Sequence, residues 1–427
     1  MKVNLYKKKL LKWSKDLFPL NRSLAGKYNR KTISYIKQNI NKNFKLKKFK
    51  SGKKVFSWKV PDEYNLIKGI LKDDKGNIIC DIKNNNLHTV TFSTSVNKWL
   101  NYKELKKHIF FSDKRKNAIP YVTTYYKKNW GFCISKKTFL SLNKKRKYKV
   151  HIDSSFKKGS MNYSEMLIKG KSKKEILICS YICHPSLANN ELSGILGICL
   201  LSNIIKKNKY SIRLLLIPET IGAISYIHSN FNHLNKNLVA GFNLSCIGIE
   251  GPYNVISSIS EQTYADKIVK RIGAKYSNFR KLSFLKRGSN ERQFGCQNLN
   301  LPFVTITRKR FGDYPEYHTS DDNLKILNIN TIIQTVNFIK KIVDEINLNK
   351  IFSKKSYCEP FLANSNLINN SGTLKNMSDK KRKDISNFLA YVDKSHDLKS
   401  LKQKLKISNI DQISNLLKRK KFIYEEI

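Results

Sequence analysis

The chain has 427 residues and a formal net charge of +51, because 82 lysine and arginine residues outnumber 31 aspartate and glutamate residues. A hydrophobic fraction of 40% excludes a wholly disordered chain despite this charge. The most apolar helical stretch, residues 192–205, is shorter than the ~20 residues of a membrane span, and the N-terminus lacks the apolar segment of a signal peptide. The eight cysteines include no Cys-x-x-Cys pair. The sequence therefore predicts a soluble cytoplasmic protein with reduced thiols.

The hydrophobic pattern changes once within the N-terminal third of the chain. Hydrophobic periodicity predicts amphipathic helices at 1–18 and 29–42. From 46 to 145 the pattern changes to short β-like runs separated by turn signals such as Asp73-Asp-Lys-Gly. This change predicts a separate β-rich domain at 46–145.

The central part alternates between strands and helices from about residue 146. Continuous apolar runs predict buried strands at 174–182, 211–217, 238–247 and 302–307. Fully apolar strands that alternate with helices are typical of a parallel or mixed sheet covered on both faces. We therefore predict the α/β fold class for this part of the chain.

The C-terminal part has the composition of a linker followed by a small helical module. A Ser/Asn-rich stretch at 363–372 indicates the linker. Beyond it, helical patterns at 385–392, 398–405 and 410–417 predict a module of winged-helix size. Winged-helix modules bind nucleic acid or protein. However, the positive charge is spread along the whole chain, which favours a composition bias over a nucleic-acid footprint.

Metal-ligand types of side chain follow all four predicted core strands. In open α/β sheets, functional residues collect beyond the carboxyl ends of the strands. The candidates there are His184, Glu219, Glu250 and His318. A glutamate at a strand-to-helix turn, such as Glu219, is suited to be a general base toward water at a metal ion. The alternative is that Glu219 only stabilises the dipole of the following helix.

The segment around His318 adds two carboxylates. Asp321 and Asp322 follow the imidazole by three and four residues, which is typical of a ligand and the group that orients it. The alternative is a plain helix start before Leu324.

Nine motifs in this chain resemble one family of bacterial aminopeptidase-like proteins often encoded among polysaccharide-biosynthesis genes. That family is related to the zinc exopeptidases of the leucyl-aminopeptidase and glutamate-carboxypeptidase type. The motifs span nearly the whole chain: Arg22-Ser-Leu-Ala-Gly, Val60-Pro-Asp-Glu-Tyr, Asn84-Asn-Asn-Leu-His, Ala118-Ile-Pro-Tyr-Val-Thr-Thr-Tyr-Tyr, Trp130-Gly-Phe-Cys, Cys183-His-Pro-Ser-Leu-Ala-Asn, Ile217-Pro-Glu-Thr-Ile-Gly, Glu291-Arg-Gln-Phe and Tyr314-Pro-Glu-Tyr-His-Thr-Ser.

The resemblance implies a zinc-aminopeptidase-like core with a mixed sheet flanked by helices. This core is expected to be discontinuous, formed by 1–45 and 146–350, with the β-rich domain at 46–145 inserted into it. A linker at 351–378 and a winged-helix module at 379–427 are expected to complete the chain.

The resemblance also implies roles for individual residues. His184 and His318 become zinc ligands and Glu219 the general base, with Asp322 as the group that orients His318. We further expect Asn190 and Glu291 to hold the metal-ligating side chains in position without binding the metal ion themselves.

Two departures from the zinc exopeptidases affect the expected metal content. Asn190-Glu191 stands where those enzymes have an Asp-Asn pair whose Asp bridges two metal ions, and Ile249 replaces a further ligand Asp. An amide oxygen is a poor zinc ligand and isoleucine is none. We therefore expect one zinc ion or none, with Glu191 or Glu250 as substitute ligands.

These observations leave three functions open. The leading hypothesis is a zinc-dependent hydrolase of amide or peptide bonds, linked by the resemblance to surface polysaccharide biosynthesis. The alternative is a non-catalytic binding protein on an aminopeptidase scaffold, and a nucleic-acid-binding regulator is the least favoured. The expected partner is a small peptide- or amide-containing substrate, while specific nucleic-acid binding and a membrane span are not expected and homo-oligomerisation stays open.

Overall fold

The helices and strands of the chain are taken from a computed structural model that describes residues 2–206, 209–362 and 379–426. The helices are α1 (Lys2–Leu17), α2 (Lys27–Asn39), α3 (Tyr102–Lys106), α4 (Lys136–Leu140), α5 (Ser193–Ile204), α6 (Ile221–Asn237), α7 (Tyr264–Gly273), α8 (Glu291–Phe294), α9 (Ile329–Leu348), α10 (Asp379–Tyr391), α11 (Leu398–Leu405) and α12 (Ile410–Arg419). The strands are β1 (Lys45–Lys50), β2 (Lys54–Val55), β3 (Trp58–Lys59), β4 (Glu63–Asp73), β5 (Ile78–Asp81), β6 (Val96–Asn101), β7 (Ile109–Phe110), β8 (Phe132–Cys133), β9 (Lys147–Lys157), β10 (Ser160–Ile168), β11 (Glu175–Tyr181), β12 (Ser211–Ile217), β13 (Leu238–Leu244), β14 (Tyr253–Ile256), β15 (Phe279–Leu282), β16 (Phe303–Thr307), β17 (Phe352–Lys354) and β18 (Ile423–Glu425). Within these described ranges, no helix has the length and apolar character of a membrane span.

An eight-stranded mixed sheet organises the core, in the order β1-β10-β12-β11-β13-β16-β14-β15. The four strands predicted from apolar runs are the neighbours β12, β11, β13 and β16, and they are mutually parallel. β10 and β1 extend the sheet antiparallel on one side, and β14 pairs antiparallel with β16 on the other. The predicted α/β fold class with a mixed sheet is confirmed.

Helices cover both faces of this sheet, which is why nearly every residue of its four central strands is buried. Along β11, Ile176 and Ile178 pack into the cluster that includes α5 and α9, whereas Leu177 and Cys179 pack into the cluster that includes α6. This alternation is the two-residue period of a strand. All seven residues of β11 are buried as a result.

A second sheet has four strands in the order β5-β4-β9-β6, of which β4, β5 and β6 lie within the predicted insertion at 46–145. The strand pairings do not follow the predicted bounds of the insertion, 46–145. β1, placed at the start of the insertion, is an edge strand of the main sheet, and β9, placed in the core, is a central strand of the smaller sheet. β9 of the smaller sheet is connected to β10 of the main sheet through Lys158-Gly159. The change of sequence pattern near residue 146 marks the start of β9.

The C-terminal residues form a small unit with its own apolar cluster, to which α10, α11 and α12 contribute. β17, which lies in the range predicted as a linker, pairs antiparallel with β18. The Ser/Asn-rich stretch at 363–372 lies outside the described residues. The winged-helix assignment of 379–427 stays a prediction.

A buried ion pair connects this unit to the core. Asp397, which is fully buried, accepts two hydrogen bonds from the guanidinium of Arg271, at 2.9 and 2.6 Å, and one from the hydroxyl of Tyr264 at 3.1 Å. It also caps α11 by accepting the N–H of Ser400 at 2.8 Å. Burial opposes the ionisation of Asp397, but the Arg271 guanidinium and the Ser400 N–H outweigh it and lower the pKa.

We predict that Asp397→Ala lowers the free energy of unfolding by about 2–4 kcal/mol, because it leaves Arg271 and the α11 N–H groups without their acceptor. Urea unfolding measures the loss. Asp113→Ala is the control, since Asp113 forms an exposed pair with Lys136 and should cost less than about 1 kcal/mol. The carboxylate of Asp397 stabilises the fold above its unfolded pKa, so the difference between wild type and Asp397→Ala should shrink as the pH falls below about 4. Equal losses in the two variants would contradict this role.

Candidate active site

Four predicted site residues follow four adjacent parallel strands. Glu219 follows β12, His184 follows β11, Glu250 lies beyond β13 and His318 lies beyond β16. Parallel neighbours end at the same edge of a sheet, so the topology brings these segments to one side of the core.

His184 is buried and held by Glu191. Its Nδ1 lies 3.0 Å from Oε2 of Glu191, and the same oxygen accepts the backbone N–H groups of Cys183 and His184. The other oxygen, Oε1, accepts a hydrogen bond of 2.5 Å from Nε of Arg22. Both oxygens of Glu191 are therefore engaged, and the carboxylate positions His184 with its Nε2 available for a ligand. This differs from the predicted role of Glu191 as a metal ligand.

The ion pair behind His184 is completely shielded from water. The side chains of Arg22 and Glu191 have 0% exposed surface. Arg22 comes from the loop between α1 and α2, and it also donates to the carbonyl of Leu17 at 2.7 Å. Burial opposes a charge on His184, but the adjacent Cys183 and Glu191 raise its pKa well above the ordinary value. A metal ion bound through His184 would therefore displace a proton.

His318 presents an unpartnered nitrogen beside His184. The residue has a left-handed backbone conformation (φ +55°), and its ring stacks on Tyr317 with a centroid distance of 3.9 Å. Its Nε2 is buried and has no hydrogen-bond partner within the described part of the chain. Burial and the nearby charge of His184 lower the pKa of His318 to about 3, so its imidazole is neutral, which is the form that binds metal.

The two histidine rings are separated by a distance that suits one shared ion. Their centroids lie 5.7 Å apart. Two imidazoles on one tetrahedral zinc, with Zn–N bonds of about 2.0–2.1 Å, have centroids roughly 5 Å apart. Asn190 adds an Oδ1 atom that is buried and unpartnered among the described residues, but it is neutral. These donors fit one zinc ion and lack the bridging carboxylate that two ions need.

Cys183 completes a cluster with His184 and Glu191, whose potential ligand atoms lie within 4.8 Å of one another. The hydrogen bonds above explain this cluster without a metal ion. The Cys183 Sγ lies 3.4 Å from Nδ1 of His184 and accepts the N–H of Glu219 at 3.2 Å. Burial raises the pKa of the thiol, which disfavours the thiolate that a zinc ligand must be.

Glu219 is partly buried at the N-terminus of α6. Burial raises the pKa of its carboxyl, while His184, Ser289 and Arg292 partly offset this effect. A carboxyl group whose pKa lies above its ordinary value is a stronger proton acceptor when ionised, which suits it to accept and return a proton.

The loop behind Glu219 is fixed by Glu291. Its Oε1 accepts the N–H groups of Gly288 and Ser289 at 2.6 and 2.8 Å, and its Oε2 accepts the hydroxyl of Thr305 at 2.6 Å. Asn290 in this loop accepts the N–H of Thr220 at 3.3 Å. Glu291 therefore acts on Glu219 through this loop.

Asp322 does not orient His318, which corrects the predicted pairing. Its carboxylate accepts the N–H groups of Asn189 (2.6 Å) and Asn190 (3.0 Å) and the hydroxyl of Tyr314 (2.8 Å). Burial raises the pKa of Asp322 to about 6, against the effect of these bonds. Asp322 thus holds the turn at 188–192 that leads into α5.

Glu250 is exposed, and no cluster of potential metal ligands among the described residues includes it. The preceding Ile249 packs with Phe311 and Tyr314 in an apolar cluster. Successive side chains leave the chain in different directions, so Glu250 does not take the place of the ligand that Ile249 replaces, and its predicted role as a ligand is not supported.

Several residues that shape the site had no predicted role. Arg22, Tyr121 and Arg292 all lie in the motifs quoted above, so the motifs were the available signal. The Tyr121 ring lies 5.2 Å from that of His184 and 5.0 Å from that of His318. Such contacts join distant parts of the chain, and no local pattern reports them.

The fold and this strand-end site define an aminopeptidase-like α/β protein. A zinc aminopeptidase structure from Bacillus subtilis has a TM-score of 0.60 at 14% identity, covering 80% of this chain and 94% of that chain. A crystal structure from Clostridium acetobutylicum, of a protein provisionally named a peptidase, has a TM-score of 0.78 at 32% identity and covers 98% of this chain and 96% of that chain.

The chain belongs to the family described as "Domain of unknown function (DUF4910)", whose family model matches residues 11–349. A protein of Clostridium acetobutylicum is 36% identical over 354 residues, which cover 81% of this chain and 80% of the relative. That relative carries the provisional name polysaccharide biosynthesis protein with aminopeptidase-like domain. The expected family is confirmed.

We predict that Asp322→Ala lowers the free energy of unfolding by about 2–4 kcal/mol, because two buried N–H groups and the Tyr314 hydroxyl lose their acceptor. Chemical unfolding followed by circular dichroism measures this loss. Asp321→Ala is the matched neighbour: Asp321 pairs with Arg115 near the surface, so its loss should cost less than about 1 kcal/mol. A neutral effect of Asp322→Ala would show that the turn at 188–192 is held by other contacts.

Proposed function

We propose that this protein hydrolyses an amide bond with one zinc ion held by His184 and His318, and with Glu219 as the general base. The observation that carries the proposal is the buried, unpartnered Nε2 of the neutral His318, next to His184 and on the same side of the sheet as Glu219. A buried imidazole nitrogen without a partner costs free energy unless a ligand engages it.

The proposed role of each side chain in the reaction follows from its contacts. Zinc would supply polarisation of the scissile carbonyl and a lower pKa for water. Glu191 fixes His184 so that its Nε2 faces the site, and Tyr317 and Tyr121 fix the ring of His318. Glu219 accepts a proton from the attacking water and returns it to the leaving nitrogen.

Two observations support polysaccharide biosynthesis as the setting of the reaction and one zinc ion per chain as the metal content. The name of the Clostridium relative supports a reaction in polysaccharide biosynthesis. Asn190 and Ile249 replace acidic ligands of the zinc exopeptidases, and Glu191 is engaged by Arg22, which supports one ion per chain.

We predict that Glu219→Gln lowers turnover by about 10²–10⁴-fold and leaves zinc content and fold unchanged, because glutamine is isosteric but cannot accept the proton. Turnover is measured on whichever compound the wild type hydrolyses fastest in a panel of aminoacyl p-nitroanilides and N-acyl amino acids. Glu261→Gln is the isosteric control, since Glu261 pairs with Lys281 on the surface. Unchanged turnover in Glu219→Gln would contradict its role as base, and loss of zinc would make it a ligand.

A non-catalytic binding protein is the second candidate, and the neutral Asn190 favours it. An anionic ligand at this position should raise the zinc affinity at least tenfold if a weak metal site is what limits catalysis.

We therefore predict that Asn190→Asp binds zinc at least tenfold more tightly than the wild type, as measured by competition with a chelating dye. Asn189→Asp is the adjacent isosteric control, because the Asn189 Oδ1 is already engaged by the N–H of Gly248. Hydrolysis that is absent in the wild type and present in Asn190→Asp would favour the non-catalytic function. An unchanged zinc affinity would show that Asn190 does not face the ion.

A further inference from the structure

A cleft of about 370 Å³ opens beside Glu219. One wall comes from the main α/β core, through the start of α6 and through Arg292 of α8. The other wall comes from the segment between α2 and β9, which contributes Trp58, Lys59 and Tyr125. A substrate bound at Glu219 therefore contacts side chains that the α/β core alone does not provide.

The cleft carries an excess of positive charge. Arg292 donates to the hydroxyl of Thr220 at 2.7 Å and to the carbonyl of Ser289 at 3.2 Å. Among the described residues, no carboxylate oxygen lies within 4.0 Å of the charged groups of Arg292 or Lys59. Of the residues that the structure describes, Glu219 is the only acidic one that lines this cleft.

The remaining lining is largely apolar and includes three aromatic side chains. Trp58 and Tyr126 make an edge contact with ring centroids 6.0 Å apart, and Tyr125 makes another with Tyr126 at 5.4 Å. Such rings bury apolar or aromatic groups favourably. The lining suits a ligand with one apolar group and one anionic group.

We infer that the cleft binds the free carboxylate of an N-acyl amino acid with an apolar side chain, and not the free α-amine that an aminopeptidase substrate presents. An ammonium group would need a carboxylate partner, but the only one in the cleft is Glu219, which is assigned to the water. Arg292 and Lys59 would repel the ammonium and attract a carboxylate. The net charge of +51 also steers anionic ligands toward the protein.

The inferred substrate class rests on the proposed function for the reaction itself. The acyl carbon–nitrogen bond breaks, and a carbon–oxygen bond forms with the oxygen of water. The proton taken up by Glu219 passes to the nitrogen, so that the products are a carboxylic acid and a free amino acid.

Binding of three matched probes tests the inference without any need for turnover. N-acetyl-L-phenylalanine carries a carboxylate, L-phenylalaninamide a free amine, and N-acetyl-L-phenylalaninamide neither group. Isothermal titration of the full chain with each probe at about 0.15 M salt should show the carboxylate probe binding at least tenfold more tightly than the other two, the effect of one charge-assisted hydrogen bond. Equal affinities, tightest binding of the amine, or no binding of the carboxylate probe would overturn the inference.

Variants of Arg292 assign the effect to the cleft. Arg292→Met should weaken the carboxylate probe at least tenfold and leave the neutral N-acetyl-L-phenylalaninamide unchanged, and Arg292→Lys should restore part of the loss. Arg280→Met, at an exposed position on β15, is the control and should change neither affinity. A parallel loss of both probes in Arg292→Met would mean that Arg292 only supports the fold of the cleft, which would overturn its role.

The two proposals fail in different ways. Preferential binding of the carboxylate probe without hydrolysis would support the inferred ligand and contradict the proposed function. Hydrolysis that favours substrates with a free amine would support the proposed function and overturn the inferred ligand class.

Discussion

Arg22 and Glu191 form an ion pair in which neither side chain has any exposed surface, 169 residues apart in sequence. Breaking such a pair by removing one partner costs about 3–5 kcal/mol, because the other charge stays buried and unpaired. Glu191 also receives the N–H groups of Cys183 and His184 and Nδ1 of the His184 ring. The ion pair therefore ties the α1–α2 loop to the end of β11 and sets the orientation of His184.

Because Glu191 is engaged by these contacts, few groups at the site remain free to bind a metal ion. A carboxylate that serves Arg22 and His184 is not free to bind a metal ion, and the neighbouring Asn190 carries no charge. Asp322, another buried acid near the site, is engaged by two backbone N–H groups and by Tyr314. Two histidines and Glu219 are left to face a substrate. This set agrees with one ion and differs from the two-ion site of the related zinc exopeptidases.

Much of the fold was predictable because its signals are local. The four parallel strands are continuous apolar runs, and reading just past each run located His184, Glu219 and His318. The structure differs from the sequence-based predictions where contacts between distant residues determine the pairing of a strand or a side chain. β1 pairs with β10 in the main sheet, and β9 pairs with β4 in the smaller sheet, each opposite to its predicted domain. Asp322 accepts hydrogen bonds from the turn at 188–192, although it lies only four residues after His318. The partner of Arg22 is likewise set by the fold and not by spacing.

The proposed function requires one zinc ion between His184 and His318. Elemental analysis of the wild-type protein, after saturation with zinc and exhaustive dialysis against metal-free buffer, tests it most directly. We expect one zinc ion per chain, lost in a His184→Ala, His318→Ala double variant that remains folded. Two ions per chain would contradict it, because that result requires a bridging carboxylate that Asn190 cannot supply. Less than a tenth of an ion per chain would contradict the metal site altogether.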